Sequence, residues 1–493
     1  MRNHREKSAV EGCRTGRSFR LESGIMPGQV LQRTACGGGS AHLRGTAPSH
    51  ADGIIFLEVR TGETRRQQSP ESRIGRCYRG TWTAHIRNLP CGGPYVVILR
   101  LEDSRIRIPD IFVGDVWVLA GQSNMAGEAL TAAAPRVRHA VRSYTSWGEW
   151  TTAREPLHFP PLCPDSASDA DVEKNIPDLR QAHRAAQKGM GPGLSFGRSM
   201  FGNTGVPQGL IPCAVGGSGL DLWDPDAQEA ENSLYARMMR RIAECRQPVA
   251  GILWHQGCAE MRRPQEYTSR MKRLVASVRS DLKQPHLPWL MAQLGKSHLF
   301  DEAESGRDAL ISIREQQRRL PESVKHCSVV PTIDLGMQDF IHLDTNAQRA
   351  LGRRLARAAL HHQSDRHQTD AIVLRRIRLI PWPANWRQET AVEITFENVR
   401  EGLCADGVPA GFCIITPEGR LLRRIYRTIC DGSRVLLLAY TYPNVTMRGL
   451  RIAYGYEMDA YCNIHDADGM ALPAFAPQRI EPLTSGRCRG RRA

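Results

Sequence analysis

Gly114-Asp115-Val116-Trp117-Val118-Leu119-Ala120-Gly121-Gln122-Ser123-Asn124-Met125 is the stretch on which the fold turns. From Asp115 to Ala120 it is a run of strand length, nearly all apolar, and it stops at a glycine followed by polar residues. Such a run predicts a strand buried on both faces, as in a parallel sheet covered by helices. Four similar runs follow: Leu210 to Val215, Gly251 to Trp254, Trp289 to Leu294 and Ser328 to Ile333. Between them the period becomes helical. Tyr267, Met271, Leu274, Val278 and Leu282 share one face of a helix opening near Pro264, and Leu234, Met238, Ile242 and Cys245 form a second stripe. Thr345 and Gln348 read as a capping box for a helix that turns Ala347, Leu351, Leu355 and Ala358 inward. This alternation, from about Ile111 to His362, defines an α/β region.

The flanks differ in character. Between Gly53 and Ile108 short runs alternate with period two, as in Ile54 to Val59, Trp82 to Arg87 and Tyr95 to Leu101, which predicts antiparallel strands. After a polar linker at 363–370, strand-like runs return at Ile372 to Ile380, Val392 to Phe396, Phe412 to Thr416, Arg434 to Tyr440 and Leu450 to Tyr454, a β-sandwich-like pattern. Ser146 to Gln181 is polar, rich in proline and without period, so a long loop or lid is expected. The expected plan is a disordered basic tail over 1–25, a β-rich domain over 26–110, an α/β domain over 111–362, a linker over 363–370, a β-sandwich-like domain over 371–482 and a basic tail over 483–493.

Composition bounds the function. The chain has 493 residues, too many for one ordinary domain, and no apolar run approaches the ~18 residues of a membrane-spanning helix. Its net charge of +15 comes mostly from arginine spread over every segment, without a clustered basic face, so no nucleic-acid partner is expected. The 14 cysteines include no C-x-x-C pair, which excludes a zinc ribbon and a thioredoxin-type redox site. Cys404, Cys413, Cys430 and Cys462 are grouped so that pairing in an oxidising compartment stays open. Met1 to Gly24 lacks the apolar core of a secretion signal, and Met26 is an alternative start, so location and oligomeric state are not fixed.

Four loop segments carry chemistry. Ser123 stands at a strand-to-helix turn after Gly121, where a hydroxyl projects beyond the sheet, although a serine there is also a common helix cap. Gly216-Gly217 follows a strand, where a bare backbone N–H can reach a developing oxyanion, or simply make a turn. Gln256 follows the next strand and offers an amide donor to the same oxyanion. In Asp339-Phe340-Ile341-His342 a carboxylate three residues before a histidine can bond the imidazole, fix its tautomer and stabilise its cation. Each signal alone is weak. All four in this order are not.

Taken with Gly191-Pro192-Gly193-Leu194-Ser195-Phe196, Ile211 to Trp223, Gly251 to Gly257 and Asp339 to Leu355, these motifs resemble the carbohydrate acetylesterases of the SGNH hydrolase superfamily, the sialate O-acetylesterases and the related acetylxylan esterases. The resemblance covers about residues 110 to 362. It implies a three-layer α/β/α, flavodoxin-like central domain with a parallel sheet, and a serine esterase that releases acetate from O-acetylated carbohydrate, sialate-type by its flanking β regions. It implies Ser123 as nucleophile, His342 as general base and acid, and Asp339 as the group that orients it. Ser123 N–H, Gly217 N–H and the Gln256 amide would form the oxyanion hole, and Gln122, Asn124, Trp223 and His255 would contact substrate; Trp147 and Trp150 are further candidates for stacking on a sugar. No metal or cofactor is implied. The chain departs from the family at Cys258, where a glutamate is usual after Gln-Gly, which keeps a carbohydrate-binding protein with a degenerate site as an alternative beside an acetylxylan esterase. A lipase-like α/β-hydrolase is disfavoured because Ser123 lacks the second glycine of a Gly-x-Ser-x-Gly elbow.

Overall fold

Val116, Val118 and Ala120 pack on one side of a central strand, and Trp117 and Leu119 on the other, so the run that opens the sequence reading is buried on both faces. The computed structural model describes residues 18–61, 71–130, 139–158, 189–227, 232–298, 304–364, 371–383, 388–439 and 449–482. The tails beyond these bounds, the linker residues 365–370 and the loop residues 159–188 lie outside the described residues.

The N-terminal region is built from β1 (Arg20–Ser23), β2 (Val30–Gln32), β3 (Gly39–Thr46), β4 (Gly53–Thr61), β5 (Ser72–Tyr78), β6 (Thr81–Leu89), β7 (Gly92–Leu101) and the long β8 (Ser104–Gly121). They are antiparallel in the order β1-β3-β6-β5-β4-β7-β8, except β2, which joins β8 in parallel. Alternation in β3, β4 and β6 turns Leu43, Ile55, Leu57, Trp82 and Ile86 into a core of their own. Two sequence expectations change here. Strand β1 lies inside the stretch read as a tail, where Arg20 pairs with Thr46. β8 also runs without interruption through residue 110, where the alternating and apolar patterns meet, so the β-rich and α/β regions share one strand.

The second half of β8 leads a parallel sheet. With β9 (Val141–Tyr144), the antiparallel edge strand β10 (Trp150–Thr152), β11 (Gln208–Pro212), β12 (Gly251–His255), β13 (Trp289–Ala292) and β14 (Cys327–Val330), it gives the order β10-β9-β11-β8-β12-β13-β14. β9 and β10 form a hairpin, and β10 falls inside the stretch read as a loop from Ser146. Both β11 and β12 pair in parallel with β8, so successive connections leave β8 in opposite directions, and the crevice beyond its carboxyl end is where such sheets bind ligands.

Among the described residues six helices cover the sheet: α1 (Ser123–Ala126), α2 (Gly193–Thr204), α3 (Leu234–Cys245), α4 (Tyr267–Asp281), α5 (Glu304–Arg319) and α6 (Thr345–Gln363). Leu194, Phe196 and Met200 of α2 and Leu351 and Leu355 of α6 join the core on one face. Leu234 and Met238 of α3, Met271 and Leu274 of α4 and Ile313 of α5 join the core on the other. Full burial of each such side chain stabilises the fold by about 1.5–3 kcal/mol. The cap of α6 differs from expectation. Asp344 is the cap, its Oδ1 accepting from Ala347 N at 2.8 Å, while Thr345 Oγ1 donates to Leu130 O at 2.5 Å and Gln348 Nε2 to Asn124 O at 3.1 Å. The box residues tie loops together instead of closing the helix end.

In the C-terminal region Val373–Pro383, Gln388–Glu397, Ile425–Asp431 and Arg434–Ala439 form one antiparallel sheet, and Phe412–Ile415, Leu421–Leu422, Arg451–Tyr454 and Phe475–Arg479 another. Buried charges join this region to the α/β core. Arg357 of α6 bonds both oxygens of the buried Asp466 at 2.9 and 2.8 Å. Arg314 of α5 donates to Gly455 O at 2.8 Å and to Gly295 O. Cys404, Cys413, Cys430 and Cys462 are free thiols.

Candidate functional site

The turn after β8 is steric in origin. Gly121 has φ +120°, and a Cβ there would stand 2.3 Å from the carbonyl oxygen of His255, so only glycine lets β8 and β12 end side by side. Gln122 N donates to His255 O at 2.8 Å, Gln122 Oε1 accepts from Gly257 N at 2.9 Å, and Ser123 opens the single turn of α1. Ser123 is 6% exposed, and its side chain makes no hydrogen bond among the described residues.

The histidine loop reaches Ser123 through its neighbour. Asn124 Nδ2 donates to Ile341 O at 3.1 Å, and its Oδ1 accepts from Leu343 N at 2.9 Å, so the residue beside Ser123 grips the chain on both sides of His342. Asp339 does three jobs at once. Its Oδ1 accepts from Ile341 N at 2.8 Å and His342 N at 2.7 Å, and its Oδ2 is 2.7 Å from His342 Nδ1. A carboxylate only accepts, so Nδ1 carries the proton and Nε2 keeps its lone pair. Partial burial by itself would raise the Asp339 pKa; these hydrogen bonds outweigh it and hold the carboxyl below its usual range, ionised at neutral pH.

The β11 loop closes on the other side. A methyl group placed on Gly216 would lie 3.9 Å from Ser123 Cβ, and Gly217, at φ +72°, is exposed. The backbone N–H groups of Ser123 and Gly217 have no hydrogen-bond acceptor among the described residues. Gln256 is fully buried, and its Nε2 donates to Glu260 Oε1 at 3.1 Å and to Ser218 O at 3.4 Å. Glu260 also accepts from Leu220 N at 2.6 Å and from Arg270 Nη1 at 3.1 Å. The departure at Cys258 thus has a structural answer. That thiol is buried with its pKa pushed up to about 12 by desolvation, and the carboxylate beside Gln256 comes from Glu260, four residues on. Sequence reasoning passed over Glu260 as a partner; its i, i+4 spacing from Gln256 was the available signal.

Of the residues expected to touch substrate, Gln122 and Asn124 spend their side chains on loop backbone, as above. Trp223 is 1% exposed, donates from Nε1 to Ser218 Oγ at 3.0 Å and packs edge-on against Trp254, so it presents no face to a sugar. Trp150 is likewise core, and Trp147 bonds Glu149 Oε2 at 2.8 Å at the edge of a separate cavity of about 370 Å³. His255 is 2% exposed. Burial, with a contribution from His342, pushes its pKa down to about 4. Unfolded chains take up this proton near pH 6.5, whereas the folded chain resists it until about pH 4. Its contribution is therefore present above pH 6.5 and is lost as pH falls toward 4, by roughly 3 kcal/mol. Denaturant unfolding across that window should show this loss in the wild type and a flatter profile in His255→Asn; parallel profiles would contradict it.

Among solved structures, a carbohydrate acetylesterase from Xanthomonas citri shares the architecture, with a TM-score of 0.65 at 20% identity over 93% of this chain and 99% of that one. The mixed α/β fold with its large sheet and added β-rich regions is therefore one that an esterase uses. The chain belongs to the family of carbohydrate esterases described as sialic acid-specific acetylesterases, whose model matches residues 113–361, and it is thereby a carboxylic ester hydrolase. A probable carbohydrate esterase from Arabidopsis thaliana is 29% identical over 264 residues, 50% of this chain and 90% of the relative. Human sialate O-acetylesterase is 23% identical over 279 residues, 49% of each chain, so this chain spans about half the length of that relative.

Proposed function

We propose that the protein hydrolyses O-acetyl esters of carbohydrates by a two-step acyl transfer through Ser123, His342 and Asp339, in an SGNH-type α/β/α domain over about 111–362 flanked by β-rich regions over 26–110 and 371–482. The strand order and the helices on both faces support the layer reading. The observation that carries the mechanism is the Asn124 clamp, which makes the Ser123 turn and the His342 loop one unit.

His342 Nε2 takes the Ser123 proton as the hydroxyl attacks the acetyl carbonyl, and Asp339 stabilises the imidazolium. The oxyanion is received by Ser123 N–H and Gly217 N–H, and by the second Gln256 amide hydrogen, which exchanges its long 3.4 Å bond to Ser218 O for the oxyanion. His342 returns the proton to the departing sugar oxygen. Water, activated by the same imidazole, then releases acetate and restores the serine. Acetate release from a panel of O-acetylated sugars, with Ser123→Ala as control, tests the reading; equal release by both proteins would end it.

Glu260 serves here as a positioning residue. Removing its carboxylate frees Gln256 to rotate away from the oxyanion, so Glu260→Ala should lower kcat on the order of tenfold, below the 10²- to 10³-fold of deleting a donor outright. Glu260→Gln keeps an acceptor for Gln256 and Leu220 and should restore most of kcat with KM little changed. Equal loss in both variants would assign Glu260 to stability alone.

A further inference from the structure

Helices α2 and α6 enclose a cavity that the acyl-transfer chemistry does not use. They cross so closely that a methyl group placed on Gly352 would stand 2.6 Å from Pro192 O and from Ser195 Cβ. Ser195 Oγ donates to Arg349 O at 2.9 Å at the same crossing, so the two walls are fixed to each other. The cavity measures about 210 Å³ and is lined by Met190, Leu194, Ser195, Arg198, Arg349 and Arg353. Met190 and Leu194 are buried, Arg198 and Arg349 half-buried, and Arg353 exposed.

Three guanidinium groups thus border one small space, and no carboxylate lines it with them. Among the described residues none of the three has an ion-pair partner, and their side chains make a single hydrogen bond, from Arg349 Nη1 to Asn346 Oδ1 at 3.5 Å. Other arginines of α6 are held differently, Arg354 by Asp334 Oδ1 at 2.7 Å and Arg357 by Asp466 Oδ1 at 2.9 Å. The carboxylate at the start of α2, Glu155, faces backbone and accepts from Leu157 N at 3.2 Å. Arg349 and Arg353 are four apart on one helix, a spacing at which like charges destabilise, and Arg198 adds a third charge from the facing helix. An anion among them reverses that repulsion.

We propose that this cavity is a binding site for a phosphate group, separate from the esterase centre. A tetrahedral oxyanion accepts several N–H donors at once, and guanidinium forks match its geometry. At about 210 Å³ the cavity is smaller than the roughly 300–1,000 Å³ of a site for a whole organic ligand, so it suits a small anion. Free phosphate and the phosphate end of a sugar ester share this chemistry, and the carbons of an ester would lie on Met190 and Leu194. The proposal does not depend on the esterase reading, since neither Ser123 nor His342 lines the cavity.

Titration calorimetry of the full chain with inorganic phosphate at low ionic strength tests this. One ion should bind per chain, more weakly as sodium chloride is added and screens the charges. Arg353→Gln and Arg198→Gln should each weaken binding about tenfold, the effect of losing one hydrogen bond to a charged group. Arg353→Lys keeps the charge without the fork and should lose less than Arg353→Gln. Circular dichroism melts matching the wild type show that the variants fold, and Arg353, being exposed, leaves the core untouched. Binding to protein first treated with a serine-reactive fluorophosphonate should be unchanged, which separates this cavity from Ser123. Tighter binding of glucose 6-phosphate than of phosphate, with glucose silent, names the sugar ester as the source; equal or weaker binding names the free ion. No heat with phosphate, a Kd within twofold of wild type in either glutamine variant, or binding abolished by the fluorophosphonate overturns the proposal.

Discussion

Ser123→Ala is expected to lower kcat/KM on an acetylated sugar by on the order of 10³-fold or more while leaving the fold intact. The hydroxyl makes no hydrogen bond among the described residues, so its loss leaves no partner unsatisfied and removes little packing. What disappears is the covalent route. A residual rate above the uncatalysed reaction should persist, because the substitution keeps the backbone N–H of position 123 and leaves the proposed donors Gly217 N–H and Gln256 in place. KM should change far less than kcat. The check is steady-state kinetics beside a thermal melt, and a melt displaced by many degrees would make the lost activity a folding effect.

Asp339→Asn is expected to cost on the order of 10³- to 10⁴-fold in kcat. The substitution keeps the shape, and the amide oxygen can still accept from Ile341 N and His342 N. The other position becomes an amide N–H facing Nδ1, which turns the imidazole to the tautomer with its lone pair toward the new amide and its proton toward Ser123. A base in that state cannot take the serine proton. Because the two backbone hydrogen bonds survive, stability should fall by only about 1 to 2 kcal/mol. A fall in kcat below tenfold would make Asp339 a loop-building residue and leave His342 to work alone.

The parts of this arrangement legible in the sequence are those written in local pattern. An apolar run ending at Gly121 announces a buried strand and a turn with no room for a side chain, and the turn is held by the His255 carbonyl. Asp339 and His342 are three apart, within reach of a single loop, and their bond is present. Features decided by distant partners were not legible. Trp223 has the composition of a sugar platform, yet Trp254 and Ser218 enclose it. Asp344 and Thr345 are both good caps, and Thr345 is drawn away by the carbonyl of Leu130. The continuity of β8 through residue 110 depends on β7 pairing with it from Ser104 to Val113 and on β2 taking over at Phe112 to Gly114, which no window on β8 alone reveals. Glu260 follows the same rule, since its value comes from Gln256, Leu220 and Arg270 converging on one carboxylate.

The central claim is that Ser123 is the residue that becomes acylated, with His342 as its base. Treating the wild-type protein and His342→Ala with a serine-reactive fluorophosphonate, followed by peptide mass analysis, tests this most directly. The expected result is one stoichiometric adduct on the peptide containing Gln122-Ser123-Asn124 in the wild type, and labelling slowed by orders of magnitude in His342→Ala. Stoichiometric labelling at another serine, or equal rates in the two proteins, would contradict it.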